Sequence, residues 1–176
     1  MKKRINIRYA TTVDNALLAD LGARTFQEAF GADNTPENMA AYLAASFSPD
    51  IQAAELNDPS VVFLIAESDG TVAGYAQLRD GEPPTRITGS RPVELVRLYA
   101  RKEWIGYGVG AALMQACIAE AERRGHSTLW LGVWEHNARA RDFYRRWGFY
   151  EVGTHIFELG NDPQTDFLLQ RTVGAI

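Results

Sequence analysis

The chain has 176 residues, of which 46% are hydrophobic and 23% charged, with a formal net charge of -4. The length suits one domain, 1–176, around a single core. The acidic balance argues against broad binding to nucleic acid or an anionic membrane, because no basic excess exists to replace counterions. A lone cysteine, Cys117, excludes an internal disulfide and reads as a small packing residue of a chain in a reducing, cytoplasmic compartment. The start, MKKRINIRYATT, is basic without an apolar run, so it does not read as a secretory signal. No stretch approaches the roughly 20 apolar residues of a membrane span.

INIRYA alternates and predicts a first strand. Residues 11–30 then have helical spacing, with Thr12 or Asp14 as candidate caps. Two further helices follow, each with a hydroxyl cap and a proline at its first position: Thr35-Pro36 and Ser48-Pro49. VVFLIAES and TVAGYAQLR flank Asp69-Gly70 and predict a β-hairpin. The Gly- and Pro-rich segment 80–92 is a loop, and VELVRLYA (93–100) a strand. A helix from about residue 108 ends near Gly125. STLWLGVW is mostly apolar, which places it inside a sheet. A short helix over NARARDFYRRWG and a strand pair, 149–159 with 165–173, complete an α/β chain with a mixed, mostly antiparallel central sheet.

WIGYGVGAALM, residues 104–114, places Gly106, Gly108 and Gly110 directly before a helix. The first turn of a helix has free N–H groups and a partial positive charge, and glycines let a bulky anion approach the backbone. A loosely built loop gives the same pattern. No Lys-Ser or Lys-Thr follows, so this is not a Walker loop. A dinucleotide fold fits poorly, since its glycine turn follows the first strand of a parallel unit; Glu135 is nonetheless roughly placed to hold a ribose.

NARARDFYRRWGF, residues 137–149, adds a second element. Together the two resemble the signature of the GNAT superfamily of acyl-CoA-dependent N-acetyltransferases: a pyrophosphate loop, Gln/Arg-x-x-Gly-x-Gly/Ala, and Asn-x-x-Ala-x-x-Phe/Leu-Tyr followed by Gly-Phe. The second is complete in Asn137, Ala140, Phe143, Tyr144, Gly148 and Phe149. NTPENMAAYL, LWLGVWEHN and THIFELGNDPQTDFLL are similar to stretches of bacterial polyamine (spermidine/spermine) N-acetyltransferases of that superfamily. One departure stands out: the leading Gln/Arg position falls on Ile105, whose side chain has no hydrogen-bond donor. Arg101, Lys102 or Arg146 can supply the charge it lacks.

The resemblance implies a central sheet splayed into a V, flanked by helices, with acetyl-CoA in the cleft and no metal. It places the cofactor against the strand at Leu98, Tyr99 and Ala100, and against the loop at Ile105, Gly106, Tyr107, Gly108, Val109, Gly110 and Ala111. Asn137, Ala140, Phe143, Tyr144 and Arg146 complete that set; Asn137 serves equally as a helix cap. Tyr144 is the candidate general acid, because a phenol of pKa about 10 stays protonated at neutral pH and can donate to a leaving thiolate. Glu94 is the candidate base, with Glu135 and His136 as alternatives. Phe26, Phe30, Trp134 and Tyr99 are candidates to line the acceptor channel. Glu28, Asp33 and Glu37, together with Glu135, can attract a cationic amine. The implied acceptor is a small primary amine, a polyamine first, and the chain is a possible homodimer. Another amine acceptor, a non-catalytic CoA sensor and a nucleotide-dependent oxidoreductase stay open.

Overall fold

The computed structural model describes residues 3–174, so Met1 and Lys2 of the basic start, with Ala175 and Ile176, lie outside the described residues. The elements in order are β1 (Asn6–Tyr9), α1 (Asn15–Phe30), α2 (Pro36–Ser46), α3 (Pro49–Asn57), β2 (Val61–Ser68), β3 (Thr71–Arg79), β4 (Pro92–Ala100), α4 (Val109–Arg123), β5 (Thr128–Trp134), α5 (Ala138–Arg146), β6 (Tyr150–Leu159) and β7 (Asp162–Thr172). The expected helices and strands form, with local differences. The first helical stretch is split: a 3-10 turn over Thr12–Asp14 precedes α1. Asp14 acts from inside that turn, accepting from the Thr11 backbone N–H at 2.8 Å and from Arg8 at 2.9 Å. The two proline-led helices are capped as expected. Thr35 Oγ1 accepts from the Asn38 N–H at 3.2 Å, and Ser48 Oγ from the Ile51 N–H at 3.1 Å.

All strands join one seven-stranded sheet, ordered β1-β2-β3-β4-β5-β7-β6. Every pairing is antiparallel except β4 with β5. Strand alternation decides the layers. Val62, Leu64, Ala76, Leu78, Val93, Leu95, Leu129, Leu131 and Val133 point to one face, where they pack with Val109, Leu113, Met114 and Cys117 of α4. Cys117 is buried there, and burial pushes its thiol pKa up to about 12, so it is a packing group. Ala140, Phe143 and Tyr144 bring α5 onto the same face. Phe63, Ile65 and Tyr75 point to the other face and meet Leu18 and Leu21 of α1.

The parallel contact between β4 and β5 is short. Pro92, Val93 and Glu94 pair with Thr128, Leu129 and Trp130, and the pairing goes no further although both strands continue. Beyond Glu94 the two strands open into a V. The opening coincides with a bulge: Leu78 opposes Leu95 and Gln77 opposes Arg97, so Val96 is an extra residue in β4. An extra residue bends and twists its strand, which turns β4 away from β5. Gly74 of β3 belongs to the same construction, since a Cβ there would collide with the Tyr99 carbonyl.

Edge strand β1 is tied down through Glu120 of α4, which is 4% exposed. Its carboxylate accepts from Arg123 at 2.6 Å, Tyr9 at 2.5 Å and Arg124 at 2.8 Å. Burial alone would raise the Glu120 pKa; these donors outweigh it and hold it at about 2, below the ordinary 4.5. A depressed carboxylate pKa contributes stability that is present above the unfolded value and is lost as pH falls through the folded value. Glu120→Gln should therefore cost about 2 kcal/mol at neutral pH, the range for hydrogen bonds to a charge. The loss should shrink between about pH 4.5 and 2. Urea unfolding across that range checks it; an equal loss at both ends would contradict the ion-pair account.

Candidate active site

The V opens at the C-terminal ends of β4 and β5, and three groups of residues surround it. The first is the free edge of β4. The Arg101 N–H donates to the Ala73 carbonyl at 2.8 Å, which makes Arg101 and Ala73 a hydrogen-bonded pair with β3. Alternation then turns the main chain of Tyr99 toward β3 as well, and the N–H and C=O groups of Leu98 and Ala100 toward the cleft. Of the three strand residues expected to touch a cofactor, Leu98 and Ala100 offer backbone, while Tyr99 offers its side chain on the α1 face.

The second group is the glycine loop. Lys102–Trp104 form a 3-10 turn, and Gly106 and Gly108 follow with φ of +89° and +85°. That left-handed conformation explains two of the three glycines. A Cβ on either would meet nothing within 4 Å, so the surface of the loop is open to a ligand. Gly108 caps α4, whose first turn carries no acidic residue. The N–H groups of Val109, Gly110 and Ala111 are therefore unspent, the first intrahelical donor being Ala112, to Gly108 at 3.0 Å. Gly110 lies under α5, where its Cβ would touch the Phe143 ring at an ordinary 3.5 Å. Such a loop is built to receive a phosphate.

Ile105 is 40% exposed beside the loop; its backbone N–H donates to the Lys102 carbonyl at 3.3 Å, and its side chain has no donor. Arg101 is engaged by Glu103 at 2.7 Å and by the Val72 carbonyl at 3.3 Å. Lys102 is exposed, as is Arg146 on the last turn of α5. The sequence did not point to Lys3, whose ammonium sits 4.2 Å over the Trp104 ring and 4.6 Å over the exposed Tyr107 ring, at the loop itself.

The third group lies on α5. Asn137 caps it, Oδ1 accepting from the Ala140 N–H at 3.2 Å. Ala140 and Phe143 pack into the α4-side core. Tyr144 lies edge-on to Phe143 and Phe149 at 5.4 and 5.6 Å. Burial, with Cys117 adding to it, raises its phenol above the ordinary 10, so the O–H keeps its proton well into the alkaline range.

Across the sheet, on the α1 face, aromatic rings close over the V. Parallel pairing at Glu94 and Trp130, plus the one-residue bulge, brings Tyr99 level with Trp134. Phe30 lies edge-on to both, at 6.3 Å from each, and so spans the opening. Phe26 contacts Phe30 at 4.7 Å and stacks on Tyr42 at 4.3 Å, and Tyr42 meets Phe157 of β6 at 5.5 Å. Tyr42 and Phe157 extend this aromatic cluster beyond the residues the sequence suggested.

The acidic candidates scatter. Glu94 stands where β4 still pairs with β5, its carboxylate on Arg79 at 2.9 Å. Five residues, about 15 Å of strand, separate it from Tyr99 at the open end. Glu28 holds α1 to the chain after β4, accepting from the Lys102 N–H at 2.9 Å. Glu37 is exposed in the first turn of α2, and Asp33 lies in a 3-10 turn after α1. Glu135 and His136 pair with each other at 3.3 Å beyond β5. Among the described residues no cluster of His, Cys, Asp or Glu could hold a metal, and no helix is long and apolar enough to cross a membrane.

The glycine loop, the cleft edge of β4 and the tyrosine helix stand together around the V, and the model of the acetyltransferase (GNAT) family matches residues 23–149. The chain belongs to that family. It is 36% identical over 153 residues to an uncharacterized N-acetyltransferase of Lactobacillus delbrueckii subsp. lactis, covering 87% of this chain and 88% of that protein. It is 30% identical over 152 residues to aminoglycoside N(6')-acetyltransferase type 1 of Stenotrophomonas maltophilia, covering 86% and 90%. The PaiA N-acetyltransferase of Thermoplasma acidophilum, solved with coenzyme A, has the same fold: TM-score 0.74 at 18% identity, over 96% of this chain and 99% of that one. The protein is an acetyl-CoA-dependent N-acetyltransferase, and the acyl carrier supplies an activated acetyl thioester.

A branched side chain at Gly108 must adopt φ of +85° and stands on the open surface of the loop. Gly108→Val should weaken acetyl-CoA binding at least about tenfold, the equivalent of one lost hydrogen bond or a clash. Isothermal titration measures it; unchanged affinity would remove the loop from the site.

Proposed function

We propose that this enzyme acetylates the primary amine of a small cationic acceptor, a polyamine such as spermidine or spermine first. The observation that carries the reading is the aromatic cluster on the α1 face, Phe30, Tyr42, Tyr99, Trp134 and Phe157, packed on buried Phe26, over the open end of the V. Alkyl chains bearing ammonium groups bind such surfaces through apolar contact and cation–π attraction. The overall charge of -4 adds a weak attraction for cations. The similarity of NTPENMAAYL and THIFELGNDPQTDFLL to polyamine acetyltransferases points the same way. An aminoglycoside is the second reading, favoured by the relative from Stenotrophomonas maltophilia.

Each residue then has a role. The unspent N–H groups at the start of α4 hold the pyrophosphate, and Lys3 supplies the charge that Ile105 lacks. The cleft-facing N–H of Leu98 or Ala100 polarises the acetyl carbonyl, in the manner of an oxyanion hole. Tyr144, kept protonated by burial, donates to the leaving sulfur.

Tyr144→Phe should lower kcat about a hundredfold with acetyl-CoA affinity unchanged. Because burial raises the phenol pKa, any loss of turnover from its ionisation should begin above pH 10 and be missing in the variant. Equal kcat in both proteins would dismiss Tyr144 as the acid. The acceptor is tested by acetyl-CoA-dependent thiol release with spermidine, spermine, free amino acids, an aminoglycoside and a peptide amine. Polyamine-selective release supports the first reading. Aminoglycoside-selective release supports the second.

A further inference from the structure

We propose that Asp166 and His155, on β7 and β6, form the site that receives the ammonium group of the acceptor and removes its proton. This rests on the amine-acetyltransferase reading above and gives it the base that Glu94, held at the closed end of the V, does not provide.

Three strands bring the pair to the cleft. Trp134 of β5 opposes Asp166 of β7, which opposes His155 of β6, so the three side chains stand in one row on one face. That is the aromatic face, since Trp134 meets Phe30 there. The row therefore lies level with Tyr99, where the V is open. Gly132 of β5 makes the arrangement possible. A Cβ at that position would lie 2.7 Å from His155 Nε2 and 3.2 Å from Asp166 Oδ2. With no side chain there, the imidazole reaches over β7 to β5, and Gly132 stays exposed at the strand that borders the cleft.

Asp166 is 8% exposed, and its Oδ2 lies 3.5 Å from His155 Nε2. Nε2 is buried and has no hydrogen-bond partner among the described residues. A buried nitrogen with no partner is costly, and a proton delivered to it gives it a donor aimed at the facing carboxylate. The carboxylate stands next to Trp134, on the strand that borders the cleft, and attracts a cation; the imidazole beyond it can hold a proton. In the step proposed, the ammonium of the acceptor rests on Asp166. One N–H bond breaks, the nitrogen keeps the electron pair, and the proton passes through the carboxylate to His155 Nε2. The positive charge moves from ammonium to imidazolium, beside Asp166, and the amine is left neutral. A base near the imidazole range is better suited than a lone carboxylate to a proton from an amine.

The charged groups around His155 are few. β7 contributes Asp166, and β5 contributes none. The turn after β5 carries the paired Glu135 and His136, with His136 edge-on to Trp134 at 5.2 Å. The stem of Arg86, from the 80–91 loop, lies against Gly153 two residues back along β6.

The test uses NMR of the His155 imidazole, one of three histidines, together with steady-state kinetics. Spermidine added to the free protein should shift the His155 resonances in the wild type and not in Asp166→Asn. His155→Gln should lower kcat about a hundredfold and remove the rising acid limb of kcat/KM, with acetyl-CoA affinity unchanged. Asp166→Asn should mainly raise KM for the amine. A His155→Gln enzyme with wild-type kcat and pH profile overturns the proposal. If no amine stimulates thiol release in the wild type, the acceptor reading has failed, and the NMR arm still decides: His155 ring resonances left unchanged by Asp166→Asn overturn the pair.

Discussion

The structure turns on how little β4 and β5 hold each other. Three residues on each strand pair in parallel, and then the ladder stops. A sheet normally resists that, because unpaired backbone groups in a buried region are costly. Here the cost is met from the other side. Val96 adds a residue to β4 opposite β3, and the bulge redirects the strand while its antiparallel bonds to β3 run on to Ala100. β5 is likewise secured along its whole length by β7. Each arm of the V is thus held by its outer neighbour, and the inner edges are free to bind. An acyl chain with amide groups can then take the place of the missing strand.

The loop after β4 depends on this separation. β4 must deliver the chain to α4 with the first turn of the helix facing the cleft, and the left-handed glycines at 106 and 108 make that turn. The side chain at 105 matters less than the pattern suggests. The N–H groups come from backbone whose direction is set by Gly108 and α4, not by residue 105. A donor from elsewhere can add charge to such a loop, and Lys3, stacked on Trp104 and Tyr107, is placed for it. A class defined by backbone geometry survives the loss of one side chain.

The glycine loop and the tyrosine helix were legible in the sequence because each is local. Glycines before a helix, and Asn137, Ala140, Phe143 and Tyr144 at helical spacing, are features of single elements. The row proposed for the acceptor was not legible, because it is made across strands. Trp134, Asp166 and His155 are separated by many residues and meet only through register. One signal was available. Gly160 and Asn161 form a two-residue turn, Gly160 with φ of +62°, and Leu159 opposes Asp162. Counting outward from that turn places His155 opposite Asp166. Pro163 hid it: a proline within a run argues against a strand, so the last strand was expected to begin at Thr165, whereas β7 begins at Asp162. Here the proline is tolerated in a hairpin arm opposite Glu158, next to the turn. Two of the acidic candidates make contacts that no single element shows. Glu28 clamps a loop and Glu94 pairs with Arg79.

The two faces of the sheet also differ in what they can recognise. On the α4 face the groups offered at the site are mostly main chain, so they suit a ligand of fixed shape that every member of the class shares. On the α1 face they are side chains: rings from α1, α2, β4, β5 and β6, with Asp166 and His155 among them. Rings on helices can be exchanged without disturbing the ladder, so acceptor choice can drift while the chemistry stays. Gly132 marks the limit of that freedom, because it lies on β5 itself. A side chain there would displace the imidazole from the strand that borders the cleft, and it would do so without altering the V, the loop or Tyr144. Acceptor specificity and proton removal would thus change together, through one strand position that carries no functional group.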